Sequence, residues 1–211
     1  MDHKAYIYSL IGEGEHQQQD FKFEISDARK IAKTLSAFSN TEGGRLLIGV
    51  KDNGKIAGIR TEEEIYMIEA AAKLYCQPTV PYEMSTHDID GRTVLEVIVP
   101  PGKNKPYYAK DQDNRLWAYI RIRDENILAT PVHLKVWQQE GKQQGVFVHY
   151  TKPEEQLLDY LTSHPRITIG QYCRMARISR LKAENTLAKF IRFGLIEPIF
   201  ENHRFYFQGS E

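Results

Sequence analysis

The glycine pair Gly43-Gly44 constrains this chain more than any other feature. Before it lies an amphipathic run, 27–39, with Ile31, Leu35 and Phe38 at helical spacing. After it lies a short apolar run, 45–50, of the kind that fills a buried strand. Two adjacent glycines let the backbone leave a helix and enter a strand through angles that other residues resist. Asn40 sits where its side chain can cap or bridge that turn. Asp52-Asn53-Gly54 then has the chemistry of a tight turn into 55–59. Helix, turn, strand and hairpin in this order require a domain that mixes helices and sheet. The pair is not a nucleotide cradle. No Gly-x-x-x-x-Gly-Lys-Ser/Thr occurs anywhere, and no ATP site is expected.

The flanking sequence extends this pattern. Phe21 and Phe23 alternate with Asp20, Lys22 and Glu24, as in a half-buried strand. A second helix is expected over 62–75, strands over 81–89, 93–99 and 116–122, and a helix over 131–138. The polar, glycine-bearing stretch 138–145 reads as a linker, which predicts domains over 1–145 and 146–211. In the second, Pro153 suits a first helical turn, and Leu157, Leu158 and Leu161 form its inner face. An extended piece at 166–168 precedes a helix over 169–176. Ser179 can cap a third helix that Gly194 ends, and 196–200 and 203–207 then form a hairpin around Glu201-Asn202. That order is the order of a winged helix-turn-helix. The expected fold class is α+β, a mixed α/β domain followed by a smaller C-terminal winged helix-turn-helix domain.

Charge narrows the function classes. The 211 residues carry 28 basic and 28 acidic side chains, which excludes a chain made basic throughout by nucleic-acid binding. A local field remains possible, because 166–194 holds seven basic residues against Glu184 alone. No stretch approaches the roughly 18 unbroken apolar residues of a membrane helix, so no membrane partner is expected. Met1-Asp2-His3-Lys4 opens polar, with no signal-type apolar region after it. Cys76 and Cys173 are the two cysteines, far apart, which excludes a disulfide scaffold and points to the cytoplasm.

Several motifs carry a family resemblance. The stretch 37–54, from Ala37-Phe38-Ser39-Asn40 to Asp52-Asn53-Gly54, with Gly58 after it, strongly resembles the Schlafen-type AlbA-like domain. Glu15 and Asp20-Phe21-Lys22, then Lys105-Pro106-Tyr107, then Tyr119-Ile120-Arg121-Ile122-Arg123 follow in the family's order, across about 10–130. The resemblance implies a nucleic-acid-binding protein, a DNA-binding transcriptional regulator first of all. It also implies a possible enzyme. In members with ribonuclease activity three carboxylates act together, and the matching positions here are Glu15, Asp20 and Asp52. Such a trio can hold Mg²⁺ or Mn²⁺ through hard oxygen ligands, with Lys22 stabilising charge on a phosphate. The chain departs from that pattern in three ways. Asp20 stands where the family more often has Glu, the zinc-binding cysteine and histidine set is absent, and one lobe replaces two. The single lobe suggests a homodimer.

Each residue also has a plainer role. Asp52 suits a hairpin turn, Glu15 a solvated loop, and Asp20 with Lys22 a surface pair on one strand face. The residues expected to contact DNA or RNA are Arg121 and Arg123 beside Tyr119, and Arg180, Lys182, Asn185, Lys189 and Arg192 on the third helix. Arg204 near the hairpin tip completes the set. The aromatic group Tyr107, Tyr108, Trp117 and Tyr119 can stack on unpaired bases or fill a core. Three functions follow: a regulator, a metal-dependent endonuclease acting on structured RNA or DNA, or a protein-interaction adaptor built on the winged helix.

Overall fold

The computed structural model describes residues 3–140 and 150–210. In chain order the elements are α1 (His3–Glu13), β1 (Gln19–Lys22), α2 (Ala28–Asn40), β2 (Gly44–Ile48), α3 (Glu63–Lys73) and β3 (Cys76–Gln77). There follow β4 (Glu83–Ile89), β5 (Arg92–Val99), β6 (Tyr108–Lys110), β7 (Leu116–Ile122), β8 (Glu125–Leu128) and α4 (Pro131–Glu140). The last are α5 (Lys152–Ser163), α6 (Ile169–Ala176), α7 (Arg180–Arg192), β9 (Ile196–Glu201) and β10 (Arg204–Gly209). Together they make the expected mixed α+β chain. It divides into two compact units, Met1–Ala129 and Thr130–Glu211.

The first unit has two four-stranded sheets, ordered β1-β2-β5-β4 and β3-β6-β7-β8. β1 runs parallel to β2, and every other pairing is antiparallel. Strand alternation sorts the first sheet's side chains between two cores. Leu46, Ile48, Leu95, Val97 and Val99 meet Leu35 and Phe38 of α2 on one face. Leu47 and Val94 meet Ile7 and Leu10 of α1 on the other. The sequence reading did not find α1. Its anchor is a buried polar cluster, in which Glu96 accepts from Tyr6 Oη at 2.8 Å and Arg45 Nε at 2.6 Å and lies 2.9 Å from His87 Nε2. Burial pushes the Glu96 carboxyl up, but bonds from Tyr6, His87 and Arg45 outweigh it and hold the group below the usual range.

The glycine pair is required by close approach. A Cβ on Gly43 would lie 2.6 Å from the Val99 carbonyl oxygen, at a backbone φ of +78°. A Cβ on Gly44 would lie 2.4 Å from the Phe38 ring. Helix α2 can therefore turn directly into β2 only where side chains are missing. Asn40 bridges from this turn to the second sheet, donating to the Tyr107 carbonyl at 2.8 Å and the Tyr119 carbonyl at 2.9 Å. Its Oδ1 accepts the Tyr107 N–H at 2.8 Å.

In the second unit, α5, α6, α7 and the β9–β10 hairpin enclose Leu157, Tyr172, Leu187, Phe190 and Phe207. Ile167 pairs with Phe207, adding one bridge beside the hairpin. Thr151 and Thr168 form capping boxes with Glu154 and Gln171, and Ser179 Oγ accepts from the Lys182 N–H. The boundary differs from the sequence reading. The helix at 131–140 belongs with the second unit, because Val132 and Val136 pack into that unit's core. Residues 138–140 of the expected linker are thus helical, and its remainder, with the expected boundary at 145, lies outside the described residues.

His133 on α4 gives this unit a pH dependence. Burial pushes the imidazole down to about 4. Its Nδ1 accepts the Thr130 N–H at 3.2 Å, so the neutral ring is the bonded form. The Phe205 ring lies 5.0 Å away. Between about pH 6.5 and 4 the unfolded chain binds the proton and the folded chain does not, so stability falls as pH falls. The full span amounts to at most about 3 kcal/mol. Denaturation followed by Trp137 fluorescence in a Trp117→Phe background should show this slope. It should flatten in His133→Leu, and an unchanged slope there would assign it to other groups.

Candidate functional site

The start of β1 gathers charge. Asp20 is buried, and its Oδ1 accepts from Arg121 Nη2 at 3.0 Å. Lys22 Nζ lies 2.7 Å from the other carboxylate oxygen. Glu15 Oε1 accepts the Phe21 N–H at 2.9 Å. Burial pushes the Glu15 carboxyl above its ordinary value, and the adjacent Asp20 carboxylate pushes the same way. The Phe21 N–H and Lys22 oppose that shift. Glu15, Asp20 and Lys22 therefore come together, as the sequence suggested.

Asp52 does not complete a trio. It is exposed in the turn past β2, whereas Asp20 is buried on β1, in register with Leu46. Among the described residues, no group of three or more His, Cys, Asp or Glu side chains is placed to hold a metal ion. Two carboxylates, one of them already bonded to arginine and lysine, do not fit a Mg²⁺ or Mn²⁺ centre of the three-carboxylate kind. The metal role expected for Glu15, Asp20 and Asp52 is not supported by this donor set.

Arg121 also differs from expectation. Its side chain is 1% exposed, so it cannot serve as a surface phosphate contact. It holds Asp20, the Gln19 carbonyl and Asn126, with its guanidinium 5.3 Å from the Phe38 ring centre. Arg123 is exposed, but it has left the strand for the turn before β8, at a φ of 57°. Alternation along 119–123 placed both arginines on one face. That rule held for Arg121, but the face is the one packed on α2, and the turn redirects Arg123. Gln17 was not singled out. It ties this corner together, donating to the Arg121 carbonyl and accepting the Arg123 N–H at 2.7 Å.

Two cations, Lys51 and Arg60, flank Phe23 just past β1, Arg60 also pairing with Glu24 at 3.3 Å. Lys51 Nζ stands 4.9 Å from the Phe23 ring centre and the Arg60 guanidinium 5.4 Å from it. Both cations are exposed. The sequence signal for this arrangement was Phe23, which shares the alternation of the buried Phe21 but lies just past the end of β1 and is only half-buried. Of the aromatic group, Tyr107 is core, and Trp117 is exposed with its indole N–H on Asp111 at 2.8 Å.

In the second unit, α7 separates its faces. Ala183, Leu187 and Phe190 are fully buried. Lys182 and Asn185 are exposed, three and six residues past the N-cap Ser179. Arg180 pairs with Glu184 at 3.2 Å and stays open to solvent. Lys189 and Arg192 are less free. Lys189 bonds Glu154 at the start of α5, and Arg192 Nη1 donates to Gln139 at 3.3 Å. Burial pushes the Glu154 carboxyl up, yet Lys189 and the Thr151 N–H bring it below the usual range. Arg204 is exposed beside the Asn202-His203 turn, whose residues both take positive φ, at 50° and 56°.

Among the described residues, no helix is long and apolar enough to cross a membrane. No curated protein matches the chain. Among the solved structures to which the chain is similar are two at 20% identity each. One is the crystal structure of the DIP2311 protein from Corynebacterium diphtheriae, with a TM-score of 0.46 over 67% of this chain. This chain spans 28% of that protein's length. The other is the solution structure of the N-terminal domain of a RecG-related protein from Nitrosomonas europaea, with a TM-score of 0.43 over 72% of this chain and 97% of that one. The family profile described as Schlafen, AlbA_2 matches residues 15–130, the span that holds the glycine pair, Asn40 and the Glu15–Asp20–Arg121 cluster. The chain belongs to the Schlafen AlbA_2 family, which suggests a nucleic-acid-related function.

Proposed function

We propose that this chain is a DNA-binding transcriptional regulator of the cytoplasm, with a winged helix-turn-helix over 151–209 as its reading head. The element order supports the winged-helix reading: α5, the Ile167 bridge, α6, α7, then the β9–β10 hairpin. The observation that carries the function is the division of α7. Its inner face is apolar, and its outer face presents Lys182 and Asn185 near the N-terminal end. An exposed cation there meets phosphate, and an exposed asparagine can pair with an adenine edge in the major groove. Arg204 extends the same role to the hairpin, and Lys51 and Arg60 offer backbone contacts from the first unit. Such a regulator is expected to act as a homodimer.

Anisotropy titrations of the full chain with a random-sequence duplex pool, then with a selected duplex, test this reading. Affinity should fall steeply with salt. Lys182→Ala should weaken binding to every sequence and reduce the salt slope by about one. Asn185→Ala should cost about 1–3 kcal/mol on the selected site and relax its specificity. The absence of salt-sensitive binding to DNA would overturn the reading in favour of an adaptor. Cleavage of structured RNA or DNA with Mn²⁺, lost in Glu15→Gln, would replace it with the endonuclease.

A further inference from the structure

Helix α3 presents apolar side chains that its own unit does not use. Ile68, Ala71 and Ala72 are fully buried, yet Tyr66 and Leu74 are 64% and 61% exposed. Ala70 lies midway between those two, so the three share one face at a spacing of four. With Glu69 and Lys73 at one edge, they line a shallow groove of about 270 Å³. Charge is graded along the helix. Exposed Glu62 and Glu63 mark its start. Lys73 and Lys110 mark its end, with Lys110 Nζ 3.0 Å from the Leu74 carbonyl and Lys73 Nζ 2.6 Å from Glu69, an exposed pair that solvent screens and a partner's carboxylates can exchange into.

We propose that this face is a dimerisation surface, and that its occupant is α3 of a second copy of the chain, packed antiparallel. A two-fold interface must be complementary to itself. Antiparallel pairing about Ala70 sets Tyr66 against Leu74 of the partner subunit. The small Ala70 lies at the axis, where the backbones come closest. The acidic start of each helix meets the basic end of the other, and the two helix dipoles oppose each other favourably. Parallel pairing would instead set acid against acid. The face of one short helix buries less than the roughly 1,200 Å² of a standard interface, so the association is weak, with a Kd above about 10 µM. This inference deepens the homodimer expected of the regulator by naming its surface, and the association itself needs no nucleic acid.

Sedimentation equilibrium of the full chain, up to several hundred micromolar, tests it. A reversible monomer–dimer equilibrium is expected, weakened at least ~10-fold by Tyr66→Lys and by Leu74→Lys. Both residues are exposed, and an unchanged far-UV spectrum will confirm that the variants fold. Charge gives a sharper test. Glu62→Lys/Glu63→Lys alone and Lys73→Glu alone should each be monomeric, and an equimolar mixture of the two should form a heterodimer. A monomer at every concentration overturns the proposal. So does a dimer indifferent to Tyr66→Lys, or a mixture that fails to associate. DNA titrations of the same samples keep the two ideas apart. A chain that dimerises without binding DNA sinks only the regulator, and one that binds as a monomer through α7 sinks the α3 interface and the expected homodimer but leaves the α7 reading.

Discussion

Asp20→Ala is expected to destabilise the first unit by about 3–5 kcal/mol, because it strands the Arg121 guanidinium in the core. With 1% of its side chain exposed, Arg121 cannot turn to solvent. Its remaining partners, the Gln19 carbonyl and Asn126, are neutral. Arg121→Ala should cost less, since Asp20 keeps Lys22. In a double-mutant cycle the pair should cost clearly less than the sum of the two, and urea denaturation followed by far-UV circular dichroism would measure all four corners. A cost for Asp20→Ala below about 1 kcal/mol would mean that Arg121 finds water or another anion, and the buried-pair account would fail. The result also governs how enzymatic claims are tested. Loss of activity in Asp20→Ala would report unfolding as readily as chemistry. Glu15→Gln is the cleaner variant, because an amide oxygen still accepts the Phe21 N–H.

The second large effect is expected at Asn40. Asn40→Ala removes two donors and one acceptor from the seam between α2 and the second sheet. The Tyr107 N–H is left buried and unpaired, while Ser36 Oγ still serves the Tyr107 carbonyl at 2.8 Å. Two lost bonds at about 1 kcal/mol each, with the buried N–H orphaned at about 1–3 kcal/mol, give a loss of about 3–5 kcal/mol. Asn40→Asp should recover part of it. The carboxylate accepts from Tyr107 but presents like charge to two carbonyl oxygens. Amide hydrogen exchange makes the local prediction: protection at Tyr107 should drop in Asn40→Ala beyond the global loss of stability. Equal protection in both proteins would show that another group caps that amide and that Asn40 acts elsewhere.

Local rules made much of this architecture legible. The α6 range, the Ser179 cap, the strands over 81–89 and 93–99 and the β9–β10 hairpin followed from turn chemistry and periodicity, which act over a few residues. The gathering of Glu15, Asp20 and Lys22 was legible for the same reason, since they lie within eight positions of one another. Helix α1 was not legible. It buries only Ile7 and Leu10 among its described side chains and draws its hold from Glu96 and Arg45, far along the chain. Helix α4 was found but placed in the wrong unit. Periodicity reports which face of a helix is apolar, not which core receives it.

The candidate site divides in the same way. The sequence by itself determined that α2 must turn into β2 through a glycine pair and that the chain carries the family's charged positions in order. It also determined that α7 has one apolar and one polar face. These are properties of short segments, fixed by backbone sterics and by periods of two and 3.6 residues. Only the tertiary structure decided which charges are available. Arg121 is consumed by Asp20, Lys189 by Glu154 and Arg192 by Gln139, while Lys182, Asn185 and Arg204 remain exposed. A charged side chain reads the same in sequence whether it meets water or a buried counter-charge. The pairing at Asp20 joins residues 101 positions apart, and no local pattern encodes that distance.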